Sequence, residues 1–309
     1  MKKNKVMVLM STYNGQQYLE EQICSILNQE GVDVFLRIRD DGSKDNTINI
    51  IRKYMKAHSN IDLVEGKNIG FAQSFIELVY STNECTDIDY FAFSDQDDVW
   101  LNDKLLSAVT LLSKQKPDCP NLYFSTARAV DRDLNYLFDY GKYENYTFTK
   151  PSSLVKCYML GCTMVFPYST VKFLSDHRPV YKLQMHDLWI NQTCVFFGNI
   201  VYDKTPHILY RQHGRNIAGV SNSLKNRVIR TINSFSTYEK RHFRELNAKC
   251  FLDTYNNLLS PQEKEWVSTV AFYRKSVRNR LKFLFSRDIC MGVFDSDILL
   301  KARILFGFA

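Results

Sequence analysis

The 309 residues of the chain are enough for one large domain, or for a domain with an appendage, around a sizeable core. With 45% hydrophobic and 24% charged residues and only 12 Gly and 7 Pro, the composition excludes collagen-like, low-complexity and disordered proteins. The net charge of +7 lies in the tail, because residues 222–309 carry 16 basic and 8 acidic residues, whereas residues 1–221 carry 24 and 25. Since the front of the chain is balanced, we expect no nucleic-acid partner.

The apolar runs predict neither a membrane-spanning helix nor a secretory signal peptide. A spanning helix needs about 18 apolar residues, but the longest comparable run, residues 157–166, is interrupted by Gly161 and Thr163. The apolar run at residues 6–10 is too short for the core of a signal peptide. The 8 Cys form no C-x-x-C pair, so we expect reduced thiols in a cytosol and no zinc site.

The first 130 residues alternate short apolar runs with helical patterns. Repeated strand–helix units imply right-handed crossovers, so we expect an α/β fold with a Rossmann-like, mainly parallel sheet and helices on both faces. The runs that predict strands are residues 6–10, 34–38, 61–64, 90–93, 121–130 and 157–166.

Two helix starts are also readable. Asn14 and Gln17 are expected to cap the helix after the first strand, and the Ser260–Glu263 segment predicts a capping box in the tail. From about residue 222 the pattern is helical. We therefore place the α/β domain at residues 1–221 and a basic helical extension at residues 222–309.

Three of the predicted strands end in polar, turn-forming clusters, at residues 11–14, 40–43 and 95–98. Ligands bind beyond the carboxyl ends of parallel strands, so the clusters should converge on one cleft. No Gly-rich phosphate loop of the dinucleotide or P-loop type occurs. The carboxylates at 95–98 instead suit a hard ion such as Mg²⁺ or Mn²⁺ that could hold a diphosphate. The alternative is an acidic turn that caps a helix starting near Trp100.

Together these segments resemble the family 2 glycosyltransferases of the GT-A fold. The motifs in order are Ser-Thr-Tyr-Asn-Gly at 11–15, Asp-Asp-Gly-Ser-x-Asp at 40–45, Asn-x-Gly at 68–70 and Ser-Asp-Gln-Asp-Asp-Val-Trp at 94–100. The last motif, with Tyr-Arg-Gln-His-Gly-x-Asn at 210–216, is similar to the rhamnosyltransferase-type branch that builds bacterial surface polysaccharides. The resemblance covers residues 5–220, and the tail matches no motif.

The resemblance implies a role for each matching residue. The metal, Mn²⁺ or Mg²⁺, would be held by Asp97, Asp95 and His213, and Arg211 or Arg215 could grip the diphosphate. The residues expected to bind the nucleotide-sugar donor are Thr12, Tyr13, Asn14, Asp40, Asp41, Asn68, Gly70, Asp95, Gln96, Arg211 and Arg215. A surface His beside a Gly turn is the alternative for His213.

The catalytic base is expected at Asp187. An inverting displacement needs a carboxylate that takes the proton of the attacking hydroxyl, and the family places it in a late Glu-Asp pair. Here His186 replaces the Glu. With an ordinary pKa near 4, Asp187 would be ionised at neutral pH. The alternative role is an N-cap for a helix starting at Leu188.

The basic tail suggests an anionic membrane surface as a partner. The alternative is a set of solvated helix faces that pack on the catalytic domain. The residues expected on one helical side are Arg274, Lys275, Arg278 and Lys282, near Phe272, Val277, Leu281 and Phe285.

The sequence thus predicts an inverting, metal-dependent glycosyltransferase. Its donor would be dTDP-rhamnose, with a UDP-hexose as the alternative, and its acceptor a carbohydrate or lipid-linked saccharide of a bacterial surface polysaccharide. We expect a cytoplasmic enzyme that is peripheral on the inner face of the plasma membrane. The competing classes are a catalytically silent sugar-nucleotide-binding scaffold and a nucleotidyltransferase. The intact Asp187 speaks against the first, and the absence of a Gly-rich basic loop after the first strand speaks against the second.

Overall fold

The structure is a computed structural model that describes residues 3–143, 148–157, 159–213, 242–292 and 294–308. The chain forms two compact units. The first contains Met1–Glu144, Met159–Asp176 and Phe197–Gly219, and the second contains Asn145–Tyr158, His177–Phe196 and Val220–Ala309. Arg215 and residues 222–241, on which parts of the sequence predictions fall, lie outside the described residues.

The strands and helices have the following bounds. The strands are β1 (Asn4–Thr12), β2 (Val32–Asp40), β3 (Ile61–Glu65), β4 (Tyr90–Ser94), β5 (Val99–Trp100), β6 (Asn121–Ser125), β7 (Ala127–Val130), β8 (Tyr136–Tyr140), β9 (Val165–Pro167), β10 (Asn199–Asp203) and β11 (Ile208–Arg211). The helices are α1 (Leu19–Leu27), α2 (Thr47–Ala57), α3 (Phe71–Tyr80), α4 (Lys104–Leu112), α5 (Lys150–Ser153), α6 (Tyr168–Asp176), α7 (His186–Phe197), α8 (Phe243–Tyr255), α9 (Pro261–Ala271), α10 (Val277–Leu284) and α11 (Phe294–Leu305).

The core of the first unit is a seven-stranded sheet in the order β10-β6-β9-β4-β1-β2-β3. The neighbouring strands are parallel, except that β9 runs antiparallel to β4 and β6. Residues Val6 to Met10 of β1 are buried on both faces, as a central parallel strand requires. The predicted mainly parallel α/β sheet is therefore confirmed. A second sheet has the order β5-β11-β7-β8.

Two of the predicted strands are wrong in their extent. Residues 121–130 do not form one strand, because the chain leaves the large sheet after Ser125 and enters the small sheet at Ala127. Of residues 157–166, only the last two belong to β9, and a 3-10 turn occupies Gly161–Thr163. Apolar composition is shared by strands and by buried turns, so it does not separate the two.

Two helices also begin at other residues than the sequence suggested. The first helix begins at Leu19 rather than at an Asn14 cap, because the Asn14 Oδ1 accepts the N–H of Lys44 (2.8 Å) instead. No helix starts at Trp100, which lies in β5, and α4 begins at Lys104.

In the described part of the second unit, the regular elements are helices. Ser260 and Glu263 form the predicted capping box at the start of α9. The unit also contains α5 and most of α7, which the sequence placed in the first domain. The reason is side-chain contact: Gln192 of α7 donates to the Ser153 carbonyl (2.8 Å) and accepts from Asn247 of α8 (2.7 Å). Among the described residues, every helix is too short or too polar to cross a bilayer.

A buried histidine joins the small sheet to α4. The His207 ring lies 3.0 Å from Asp103 Oδ1 and 3.1 Å from Asp203 Oδ2. Burial opposes the charged imidazole, but the hydrogen bonds to both carboxylates outweigh it and raise the pKa of His207. Burial likewise raises the pKa of Asp203, but hydrogen bonds from His207, Thr205 and Tyr123 lower it to about 2.

This arrangement predicts how stability depends on pH. The contribution of His207 to the free energy of unfolding is complete below pH 6.5 and is lost as the pH rises through the raised pKa. The contribution of Asp203 is present above pH 3.8 and is lost as the pH falls towards 2. In urea unfolding, the wild type should exceed His207→Gln by about 2 kcal/mol near pH 5, and the difference should narrow above neutral pH. A difference that stays constant from acid to alkaline pH would contradict the assignment.

Candidate active site

The polar segments that follow β1, β2 and β4 lie at one edge of the large sheet. Thr12 is paired with Asp40 across β1 and β2, and Met10 is paired with Ser94 across β1 and β4. The strands are parallel, so their carboxyl ends share this edge. The predicted convergence of the three segments is confirmed.

Asp40 holds the β1–α1 and β2–α2 loops together. Its carboxylate accepts from the hydroxyls of Thr12 (2.9 Å) and Ser43 (2.6 Å) and from the backbone N–H of Gly42 (3.1 Å) and Ser43 (2.8 Å). Both Thr12 and Asp40 are buried. In this structure they order the loops, and their contact with a donor stays a prediction.

Asp41 holds the β3–α3 loop against the end of β2. It is buried, pairs with Arg39 (2.6 Å) and accepts the backbone N–H of Ile69 (2.9 Å) and Gly70 (3.0 Å). Gly70 has a φ of +89°, a left-handed conformation that favours glycine. Asn68 is exposed on this loop. The Asp-Asp pair thus fixes three loops of the site.

Tyr13 presents its ring to solvent, with 47% of the residue exposed. Its backbone is held by Gln96, whose side-chain amide accepts from the Tyr13 N–H (2.9 Å) and donates to the Tyr13 carbonyl (3.1 Å). Asn14, at a φ of +49°, donates its backbone N–H to the Ser43 hydroxyl (2.9 Å). The loop is therefore fixed in a form that offers an aromatic face.

Asp97 and His213 come together from positions 116 residues apart, with Asp97 Oδ2 and His213 Nε2 at 2.8 Å. The His213 ring stacks on Tyr18 at 5.1 Å between centroids. Asp95, Asp97 and His213 are all partly exposed. Carboxylate oxygens with an imidazole nitrogen form a donor set that suits Mn²⁺ or Mg²⁺. The residues present therefore fit such an ion.

A second group of potential ligands contains two buried residues. Single atoms of Asp95, Asp98 and Cys162 lie within 4.8 Å of one another. Burial, followed by the charges of Asp97 and Asp95, raises the pKa of Asp98 well above its usual range, and burial raises the pKa of the Cys162 thiol. Asp98 and Cys162 are both buried, and Asp98 accepts the backbone N–H of Arg211 (3.1 Å), so we assign these two residues to the core.

Arg211 is committed to contacts within the chain. It is buried, its Nε donates to the Asp97 carbonyl (2.9 Å), and its guanidinium pairs with Glu21 and lies over the Tyr18 ring (4.5 Å to the centroid). Its predicted contact with a diphosphate stays a prediction. Sequence reasoning missed Tyr18 and Glu21. Their only signal is the spacing of three residues that places them on one side of the start of α1.

Asp187 lies in the first turn of α7, in the second unit. The helix begins at His186, so Asp187 is not an N-cap before Leu188, although its carboxylate accepts the Leu188 N–H (2.8 Å). Burial raises the pKa of Asp187 to about 6, whereas the sequence suggested about 4. Burial lowers the pKa of His186 to about 3, which keeps that ring neutral.

The close approach of Gln96 to Gly15 predicts that substitutions at these two positions are energetically coupled. A Cβ at position 15 would lie 2.2 Å from Gln96 Oε1, so Gly15→Ala should displace the amide from the Tyr13 backbone. Gly15→Ala and Gln96→Ala then lose the same hydrogen bonds. In a double-mutant cycle on urea unfolding, we expect the double variant to be more stable than additivity predicts by about 1 kcal/mol. Strict additivity would mean that Gly15 serves another purpose.

Comparisons with known proteins agree with this geometry. The profile described as Glycosyl transferase family 2 matches residues 7–166. The dTDP-rhamnosyl transferase RfbG of Shigella flexneri is 31% identical over 231 residues, which are 70% of this chain and 75% of that protein.

Two solved structures share the fold at low sequence identity. TarS of S. aureus in complex with UDP-GlcNAc has a TM-score of 0.57 and 16% identity, and the match covers 92% of this chain and 74% of that one. The mannosyltransferase PcManGT of Pyrobaculum calidifontis, in complex with GDP-Man and Mn²⁺, has a TM-score of 0.50 and 13% identity over 98% and 86% of the two chains. The predicted GT-A fold is confirmed.

The family profile spans more than half of the chain and includes the segments after β1, β2 and β4. The most extensive similarity reported above is to a glycosyltransferase of known type. The chain therefore belongs to glycosyl transferase family 2 and is a glycosyltransferase.

Proposed function

We propose that this protein is an inverting, divalent-metal-dependent rhamnosyltransferase that moves rhamnose from dTDP-rhamnose to a saccharide acceptor. The observation that carries the proposal is the meeting of Asp97 and His213, 2.8 Å apart, beside the loops that carry Tyr13 and Asp95. The choice of sugar rests on the similarity to RfbG, a dTDP-rhamnosyl transferase. A UDP-hexose is the alternative donor.

The donor end of the reaction belongs to the first unit. Tyr13 offers its exposed ring to the pyrimidine, and Asp95 accepts from the ribose hydroxyls. Asp97 and His213 hold Mn²⁺ or Mg²⁺, with their donor atoms already adjacent. When bound, such an ion neutralises the charge that develops on the departing diphosphate. Support for a metal comes also from the Mn²⁺ in the PcManGT complex, a protein of the same fold.

The proton is taken by Asp187. The attacking hydroxyl oxygen forms a bond to the anomeric carbon as the bond from that carbon to the diphosphate oxygen breaks, and the hydroxyl proton passes to the Asp187 carboxylate. Attack on the face opposite the leaving group inverts the configuration. A pKa of about 6 suits this role, because the group is ionised at neutral pH and yet basic enough to hold a proton.

The acceptor is proposed to be a lipid-linked saccharide in the assembly of a bacterial surface polysaccharide, at the inner face of the plasma membrane. The experiment that tests the donor is a thermal-shift and transfer screen with Mn²⁺ and a set of nucleotide sugars. The proposal expects dTDP-rhamnose to raise the Tm most, because a ligand that binds only the folded state stabilises it in proportion to its affinity. A larger effect from UDP-hexoses would replace rhamnose with the alternative donor.

Asp97→Ala should abolish Mn²⁺-dependent stabilisation by a nucleoside diphosphate and also abolish transfer. A chelator should reproduce both effects in the wild type. Asp33→Ala, which removes an exposed carboxylate at the start of β2, is the matched control and should behave as wild type. Full transfer in chelator would refute the metal dependence.

Asp187→Asn should lower the turnover number by about 10²-fold or more, because the amide accepts no proton. Donor affinity should be nearly unchanged. In the wild type, kcat/KM should rise with pH through about 6 and then level off, since only the ionised carboxylate is active. If the variant kept its turnover number and lost donor affinity, Asp187 would be a binding residue.

A further inference from the structure

Helix α10 has two apolar faces, of which one is buried and the other is exposed. Phe283 is buried and packs edge-on against Tyr273, with ring centroids 5.6 Å apart. On the other side, Val277, Leu281 and Phe285 are 75%, 48% and 73% exposed. Val277 and Leu281 lie one turn apart, and Phe285, the C-cap residue of α10, continues the same side. We call these three residues the α10 stripe.

The packing of α10 does not need the α10 stripe. An ordinary surface helix buries one apolar face and exposes polar residues on the other. Here Phe283 already supplies the buried face, and three bulky apolar side chains remain in water. Contiguous exposed apolar side chains mark interaction sites more often than isolated ones do.

The segment that contains the α10 stripe carries charges of one sign. Residues 275–287 contain five basic residues and no acidic residue: Lys275, Arg278, Arg280, Lys282 and Arg287. At about 100° per residue, Arg278 and Lys282 lie along the edge of the stripe. Both are exposed, as are Lys275 and Arg287. Lys282 also pairs with Glu265 of α9.

The structure changes the surface that the sequence suggested. Arg274, Lys275, Arg278 and Lys282 do not share one helical side, because α9 ends at Ala271 and Ser276 caps a new helix at Val277. Arg274 is held by Glu245. The exposed basic residues of this segment are therefore Lys275, Arg278, Lys282 and Arg287, of which Arg278 and Lys282 lie along the edge of the α10 stripe.

We propose that the α10 stripe inserts into the boundary between headgroups and acyl chains of an anionic lipid bilayer, with its four flanking basic side chains at the headgroups. An apolar side beside a basic edge is the arrangement of helices that lie in a membrane interface. Basic residues near an anionic surface add electrostatic attraction. A second copy of the chain would bring these positive charges face to face, which disfavours it as the occupant.

The inference rests on the proposed function in one respect: a lipid-linked acceptor gives the docking its purpose. The first experiment measures depth. In Phe285→Trp, the added fluorescence should shift to the blue and be quenched by lipids brominated near the headgroup end of the acyl chain, in vesicles that contain phosphatidylglycerol. The wild type supplies the background of the native Trp residues. Absence of quenching on vesicles that bind the protein would overturn insertion.

The second experiment measures partition by vesicle sedimentation. Val277→Gln, Leu281→Gln and Phe285→Gln combined should lower binding to anionic vesicles by about tenfold or more, because the apolar area is lost. Val64→Gln, Tyr136→Gln and Leu137→Gln combined, which change three exposed apolar residues of the first unit, form the matched control and should bind as wild type. Replacing the four flanking basic residues by Gln should remove the preference for anionic over neutral lipid.

The oligomeric state and the response to nucleotide sugars distinguish failure of the lipid assignment from failure of the proposed function. If the wild type is a dimer in lipid-free buffer and the stripe variant is a monomer, a second copy covers the α10 stripe and the lipid assignment is wrong. Equal sedimentation of wild type and stripe variant also overturns it. Stabilisation by dTDP-rhamnose should be the same in both proteins. Vesicle binding through the stripe without any response to nucleotide sugars would contradict the proposed function but support the docking surface.

Discussion

The geometry of the active site depends on the buried guanidinium of Arg211. A buried charge is costly unless it is paired and fully hydrogen-bonded. Glu21 of α1 supplies the opposite charge, and the carbonyls of Asp97 and Arg132 accept from the remaining nitrogens. The Arg211 backbone N–H donates to Asp98 (3.1 Å). One side chain thereby fixes the end of β11 against the acidic loop after β4.

The contacts of Arg211 also help to orient the His213 ring. Arg211 lies over one ring, that of Tyr18, and Tyr18 stacks on His213. His213 is thus supported on the ring plane by Tyr18 and at its Nε2 by Asp97. In the proposed metal site, a side chain that is already oriented would lose little freedom on binding an ion. The histidine is useful to the site because of side chains that come from the start of α1.

Much of the fold was readable from the sequence because the central strands are apolar on both faces. β1 and β4 were predicted from such runs, β2 from alternation over residues 34–39 and β3 from a short run at residues 61–64. The polar segments after β1, β2 and β4 converge as parallel strands require. The two residues of β5 and the change of sheet at Thr126 have no pattern of their own, since a short edge strand is defined by its partner. The partners of Arg211 were equally hidden, because Glu21 is 190 positions away.

The raised pKa of Asp187 could not be predicted from the sequence. Its position was suggested by motif resemblance, but its pKa of about 6 comes from burial in a helix that packs in the second unit. Burial of this kind depends on the tertiary contacts of residues 177–196 with the C-terminal helices. Those contacts include the hydrogen bond between Gln192 and Asn247, and nothing in the sequence indicates that these two amides, 55 positions apart, meet.

The contacts that Asp40 and Asp41 make within the chain limit where substitutions can accumulate in such an enzyme. Asp40 and Asp41 spend their oxygens on seven contacts inside the chain, so a substitution at either position would release two loops at once. Mutation is therefore far more tolerable where a side chain contacts none of these loops. We expect new sugar preferences to arise by drift in such peripheral segments, while the loops that Asp40 and Asp41 hold are inherited unchanged.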